Sequence, residues 1–162
     1  NQLRAIVSGF LTDLPLLGFI DLSGNIIHAL AYDTFGNLNS LKRLQLSNNN
    51  INSIQAGAFV NLNQFEKLLL SFNFLRELNP DMFLGLENLT EIRFDNNKIS
   101  VINYNAFEHL QKLEYLYLES NFISKIEPFT FSKLTFLFYL SLGYNQLNEI
   151  TLNMFTDVLE YL

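Results

Sequence analysis

The 162-residue chain is 49% apolar, carries ten basic against sixteen acidic residues for a formal net charge of −6, and contains no cysteine and no tryptophan. That balance argues against a protein that tracks nucleic-acid phosphates, which relies on an excess of Lys and Arg, and without cysteine there is no disulfide framework. No apolar stretch approaches the ~18–20 residues of a membrane-spanning helix, and Asn1-Gln2-Leu3-Arg4 lacks the charged head and apolar core of a signal peptide, so a soluble, already processed or excised piece is expected.

Residues 1–16 start midway through a pattern that the following residues restate. From Leu17, the run LGFIDLSGN predicts a short strand and a turn, with Phe19 and Asp21 on the outer face. The stretch from Leu41 to Gln64, LKRLQLSNNNINSIQAGAFVNLNQ, states the rule in full, with apolar side chains at 41, 44, 46, 51, 54, 59 and 62 and an Asn at 49. Lys42 and Arg43 in this stretch, and Lys67 in residues 65–88, form a basic strip beside Leu69. Residues 89–112 open with LTEIRFDNN and present Glu91, Arg93 and Asp95, while residues 113–136 open with LEYLYLESN and present Tyr115, Tyr117 and Glu119. Residues 137–160 add Tyr139 and Tyr144, so the outer face passes from basic to aromatic and acidic. The connecting segments are short and carry few breakers apart from Pro80 and Pro128 at equivalent places, which suits 3₁₀ or irregular turns.

The period is 24 residues without a slip, giving six full repeats (17–40, 41–64, 65–88, 89–112, 113–136 and 137–160) after the partial one. Two columns carry its logic. Asn25, Asn49, Asn73, Asn97, Asn121 and Asn145 recur where each coil turns away from its strand, and an amide there can pair backbone groups that would otherwise be buried unbonded. Phe35, Phe59, Phe83, Phe107, Phe131 and Phe155 recur on the far side, where they fill the space under the outer loops. Within the strands, alternation sends Leu44 and Leu46 inward and Arg43, Gln45 and Ser47 outward.

One repeat cannot bury its own apolar face, so the fold exists only in the stack. The expected architecture is an α/β leucine-rich repeat solenoid: a curved parallel β-sheet on the concave side, short 3₁₀ or irregular segments on the convex side, and one domain over residues 1–162. The 24-residue spacing, with Asn at the ninth position and Phe at the nineteenth, resembles the "typical" class of extracellular leucine-rich repeats. The similarity is to the repeat regions of Toll-like receptors, lamprey variable lymphocyte receptors, Slit-type guidance proteins and insect adhesion proteins. The resemblance implies an extracellular or cell-surface recognition module that uses its concave face, although the lack of cysteine leaves an intracellular setting open. Cysteine-bearing caps known from such families are missing. Leu3, Ile6, Leu11 and Leu14 have no preceding turn and Val158 and Leu162 no following one, so a fragment, or ends covered by another chain, is expected.

Catalysis finds little support in the residue pattern. His28 and His109 occupy different repeat positions, outside any metal-spaced or nucleophile–base arrangement, and are expected as solvent-exposed loop residues. No cofactor is expected. Glu91, Asp95 and Glu119 share the outer face, where carboxylates on an open sheet are expected to be solvated. The sharper signal is Tyr115, Tyr117 and Tyr139 beside Arg93, since tyrosine and arginine are enriched at protein interfaces. With Glu91, Glu119, Lys67 and Arg43 they form the predicted surface for a protein ligand. Phe136 and Phe138 are not demanded by the repeat and are expected to pack against the neighbouring coil or to serve a subunit contact. Self-association into a structural assembly, a homo-oligomer, is the alternative function. Asn88-Leu89-Thr90 is the lone N-x-[ST] sequon, making Asn88 a candidate glycosylation site beside the fourth strand.

Overall fold

A computed structural model of the chain describes residues 1–7, 9, 11, 14–36 and 38–156. Val158 and Leu162 lie outside the described residues. Six short strands form one parallel sheet: β1 (Phe19–Asp21), β3 (Arg43–Gln45), β5 (Lys67–Leu69), β7 (Glu91–Arg93), β9 (Tyr115–Tyr117) and β10 (Tyr139–Ser141), in the order β1-β3-β5-β7-β9-β10. The register advances by one repeat per strand, so that Phe19, Arg43, Lys67, Glu91, Tyr115 and Tyr139 stand side by side. Asp21, Gln45, Leu69, Arg93, Tyr117 and Ser141 form the second row. Beyond the turn, β2 (Ala29–Leu30) pairs with β4 (Ser53–Ile54), and β6 (Glu77–Leu78) with β8 (Val101–Ile102). The convex side carries 3₁₀ turns at Pro80–Phe83, begun by Pro80, and Leu152–Met154.

Alternation decides which residues are core. Leu44, Leu68, Ile92 and Leu116 point inward and are fully buried, while their strand neighbours face out. Asn49, Asn73, Asn97 and Asn121 are buried as expected, whereas Asn145 in the last repeat is half-buried. Asn97 shows the reason for the column: its Oδ1 accepts from the Leu75 N–H at 3.1 Å, and its Nδ2 donates to the Leu70 and Phe94 carbonyls at 2.9 and 3.0 Å. One amide therefore ties together backbone from successive coils, in a place where unpaired groups would be costly.

The phenylalanine column stacks face to face. Ring centroids lie 6.0 Å apart for Phe35–Phe59, 6.1 Å for Phe83–Phe107, 5.7 Å for Phe107–Phe131 and 5.3 Å for Phe131–Phe155. Phe59 also stacks on Phe65, and Phe83 tilts against Phe94, two rings at positions the repeat usually gives to leucine. Gly85 shows how tightly coils approach: its φ is +91°, and a Cβ would meet the Phe59 carbonyl oxygen of the preceding coil at 2.7 Å.

The turn after each strand uses a left-handed residue in every repeat: Gly24, Asn48, Phe72, Asn96, Ser120 and Tyr144, all with φ between 54° and 64°. Gly and Asn suit that conformation. An aromatic ring does not, so Phe72 and Tyr144 hold strained backbone. Tyr144 thereby sits beyond the end of β10, which corrects the expectation that it would extend the strand face.

Candidate functional site

The outer rows of the long sheet bring the predicted residues together around Glu91. Its Oε2 lies 2.9 Å from Lys67 Nζ, and its Oε1 accepts from Arg93 Nε at 2.7 Å. The carboxylate is not solvated as expected: Glu91 is only 9% exposed, because cations from the preceding strand and from its own strand fold over it. Burial alone would push its carboxyl up, but the hydrogen bonds and charges of Lys67 and Arg93 outweigh that and hold it below the ordinary glutamate range. For Arg93, partial burial favours the neutral form, and the bond to Glu91 and its charge outweigh this, raising the guanidinium above its usual value.

Arg93 also connects the charged half of the face to the aromatic half. Its guanidinium carbon lies 4.2 Å from the centroid of the Tyr117 ring, a close cation–π stack. The Tyr117 ring in turn lies 4.8 Å from Tyr139. Desolvation and the nearby carboxylates raise the Tyr117 hydroxyl against the opposing pull of Arg93. Tyr115 meets Phe138 edge-on at 5.8 Å. The four central residues predicted from sequence, Arg93, Tyr115, Tyr117 and Tyr139, therefore form one continuous surface with Glu91 and Lys67.

The remaining predicted residues border this cluster and have their hydrogen bonds and ring contacts elsewhere. Arg43 is the neighbour of Lys67 across the sheet, but it lies over Phe19 at 5.4 Å and donates to Gln45 Oε1 at 3.1 Å. Glu119 belongs to the neighbouring row, where Ser71 donates to Asp95 at 2.6 Å and Asn96 donates to the second Asp95 oxygen at 3.0 Å. The Oε2 of Glu119 is buried and has no hydrogen-bond partner among the described residues. Phe136 and Phe138 do not pack into a coil: they are 65% and 80% exposed, and the edge contact with Tyr115 leaves most of the Phe138 ring in solvent. His28 is exposed, while His109 is half-buried with Nε2 3.5 Å from Glu108. Asn88 donates from Nδ2 to the Asn63 carbonyl at 2.9 Å, and its Oδ1 accepts from Lys112 at 2.7 Å.

No group of three or more His, Cys, Asp or Glu among the described residues is placed to hold a metal ion, and no described helix is long and apolar enough to cross a membrane. What the face offers is contact area, two paired cations and phenol hydroxyls. The burial of Glu91 escaped sequence reasoning because it depends on two side chains reaching the same carboxylate from adjacent rows.

The leucine rich repeat model matches residues 15–74, 64–121 and 115–162, together most of the chain. The chain belongs to the leucine-rich repeat family. This leucine-rich repeat chain is similar to TLR13 as solved in a TLR13–ssRNA13 complex, with 30% identity and a TM-score of 0.88 over 93% of this chain and 21% of that one. It is also similar to Toll of the Drosophila Toll–Spatzle complex, a hub in development and innate immunity solved in glycosylated form, with 22% identity and a TM-score of 0.87 over 94% of this chain and 22% of that one. The second likeness is one of fold alone. The chain spans about a fifth of the length of these two receptor chains. No curated protein matches it closely enough in sequence to count.

Proposed function

We propose that this chain is a non-enzymatic recognition module, part of an extracellular receptor or adhesion protein, and that it holds a protein ligand on the concave sheet through Arg93, Tyr115, Tyr117 and Tyr139. The observation that carries this reading is the Arg93–Tyr117–Tyr139 stack, with Arg93 4.2 Å over one ring and the next ring 4.8 Å further on. Internal contacts hold these side chains in place before any ligand arrives, which reduces the ordering entropy lost on binding. Tyrosine offers apolar area with a polar tip, and arginine and tyrosine are over-represented among residues that dominate binding energy. Toll is solved with Spatzle, which makes protein recognition a use to which this scaffold is put in a relative.

A photo-crosslinking residue at position 139 identifies the partner, and the affinity of the Tyr117→Ala and Tyr139→Ala variants for it then tests the face. A drop of roughly tenfold or more with native circular dichroism supports the reading, as expected for interface anchors. Unchanged affinity of both variants removes it. A glycan on Asn88 belongs to the same extracellular proposal. A glycosylated amide keeps one N–H, so the bond to Asn63 can persist, and release of the chain's extra mass by a glycosidase checks it.

The alternative, lateral self-association, draws on the exposed rings of Phe136 and Phe138. Sedimentation mass that rises with concentration in the native chain but not in Phe138→Ser supports it, and a constant mass excludes it.

A further inference from the structure

A second surface lies on the flank of the solenoid, on the residues that follow each strand, and owes nothing to the strand face. At its centre Phe72 and Phe74 are 52% and 42% exposed, in the middle of the stack with described coils on both sides. The repeat requires neither ring. The residue in the place of Phe72 is Gly24, Asn48, Asn96 or Ser120 in four other coils and Tyr144 in the last, and Phe72 takes a left-handed φ of 56° that suits Gly, Asn and Ser better than an aromatic residue. Phe74 occupies the place of Asn50 and Lys98. Its backbone is pinned to the coil before it, with its N–H donating to Ile51 O at 2.8 Å, which keeps the side chain outward. Phe122, two coils on in the same column, is also about half exposed. A ring that strains the backbone and avoids the core contributes to something other than folding.

The chemistry around these rings is one-sided. Lys98 Nζ lies 5.2 Å over the Phe74 ring, and a shallow cavity of about 520 Å³ joins both to Arg76, His28, Asn50 and Asn52. The three outward positions after each strand, residues 24, 26 and 28 and their equivalents up to 144, 146 and 148, include no Asp or Glu at all, in a chain with sixteen of them. Neither Arg76 nor Lys98 has a carboxylate partner among the described residues. Glu77, next to Arg76 in the chain, accepts from Asn79 at 3.0 Å.

We propose that this flank binds an acidic segment of a partner polypeptide, an apolar side chain of which lies against Phe72 and Phe74 while its carboxylates meet Arg76 and Lys98. Amides from Asn50 and Asn52 border the same cavity and suit the backbone of an extended peptide. A nucleic acid would also find rings and cations here, but tracking a phosphate backbone takes a run of many cations, and at its centre this flank supplies Arg76 and Lys98.

The test is fluorescence anisotropy with the full chain and three labelled probes: a peptide of alternating Glu and Leu, a peptide of alternating Lys and Leu of the same length, and a single-stranded oligouridylate of equal charge to the first. The Glu/Leu peptide should bind in preference to the others, and Phe74→Asn combined with Lys98→Gln should weaken it by roughly tenfold. Phe72→Asn, which places in this coil the residue found in two others, keeps the fold and should weaken the peptide as well. No binding of the Glu/Leu peptide, equal binding by wild type and variants, or preference for the oligouridylate overturns the proposal.

Discussion

The strand face and the flank both pair aromatic rings with cations, yet they treat charge in opposite ways. On the strand face Glu91 is held by Lys67 at 2.9 Å and by Arg93 at 2.7 Å, and Arg93 is in addition stacked on Tyr117. On the flank Lys98 rests over Phe74 with no carboxylate partner among the described residues. The difference teaches where stability and binding separate. A surface that neutralises its own charges stiffens the scaffold and presents a preformed shape, whereas one that leaves them unpaired adds little to stability and keeps its charge for a partner.

The largest effects fall on the scaffold common to both surfaces. Phe83→Ala should destabilise the chain by about 3–5 kcal/mol, through lost packing and the cavity left in the ring stack. Asn97→Leu should cost about 1–3 kcal/mol for each backbone group left unbonded. Thermal melts should show both, with binding at the two surfaces lost together; loss at one surface alone would break the view that a single core positions them.

Glu91→Gln sharpens the comparison next. It strands two cations and should lower stability by about 1–2 kcal/mol, moderated by the partial exposure of Lys67 and Arg93. Lys98→Gln on the flank should leave the melting temperature unchanged. Equal losses for the two variants in chemical denaturation would show that the flank cation is paired after all.

The same carboxylate predicts an acid limb. Because its folded pKa is depressed, the stabilisation is complete above the ordinary glutamate value of about 4.3 and is lost as pH falls through the lower folded value. Wild type should therefore lose stability below about pH 4 more steeply than Glu91→Gln. Parallel acid limbs in urea titrations would contradict the arrangement around Glu91.

The smallest effect has the opposite sign. Phe72→Asn should raise stability by about 1 kcal/mol, because Asn tolerates the left-handed turn, and this corresponds to an increase of roughly 2–4 °C in Tm. A fall would show that the exposed ring supports the fold, and would remove the contrast with the strand face.

Most of the scaffold was legible before any coordinates. The columns of Asn49 to Asn121 and Phe35 to Phe131 follow from a fixed period and from what an amide or a ring can do in a stacked coil. Tyr115, Tyr117, Tyr139 and Arg93 were readable as neighbours because strand alternation and a constant register suffice to place them. Two features were not. The burial of Glu91 depends on how two flexible cationic side chains orient, and the flank lies in a turn, where alternation assigns no face. A column-by-column comparison would have shown Phe72 standing where four of the five other full repeats carry Gly, Asn or Ser, beside a Phe74 whose column varies freely between Ile, Asn, Lys, Phe and Gln, and that signal was present in the sequence.

The sequence by itself determined the repeat length, the inward and outward sets, and the order in which side chains appear along the sheet, since each depends only on local geometry applied every 24 residues. Only the tertiary structure decided which of the outward side chains satisfy one another, as Lys67 and Glu91 do, and which have no such partner among the described residues, as Lys98. That choice is made between coils, by rotamers packed at a few ångströms, and no single repeat contains both partners.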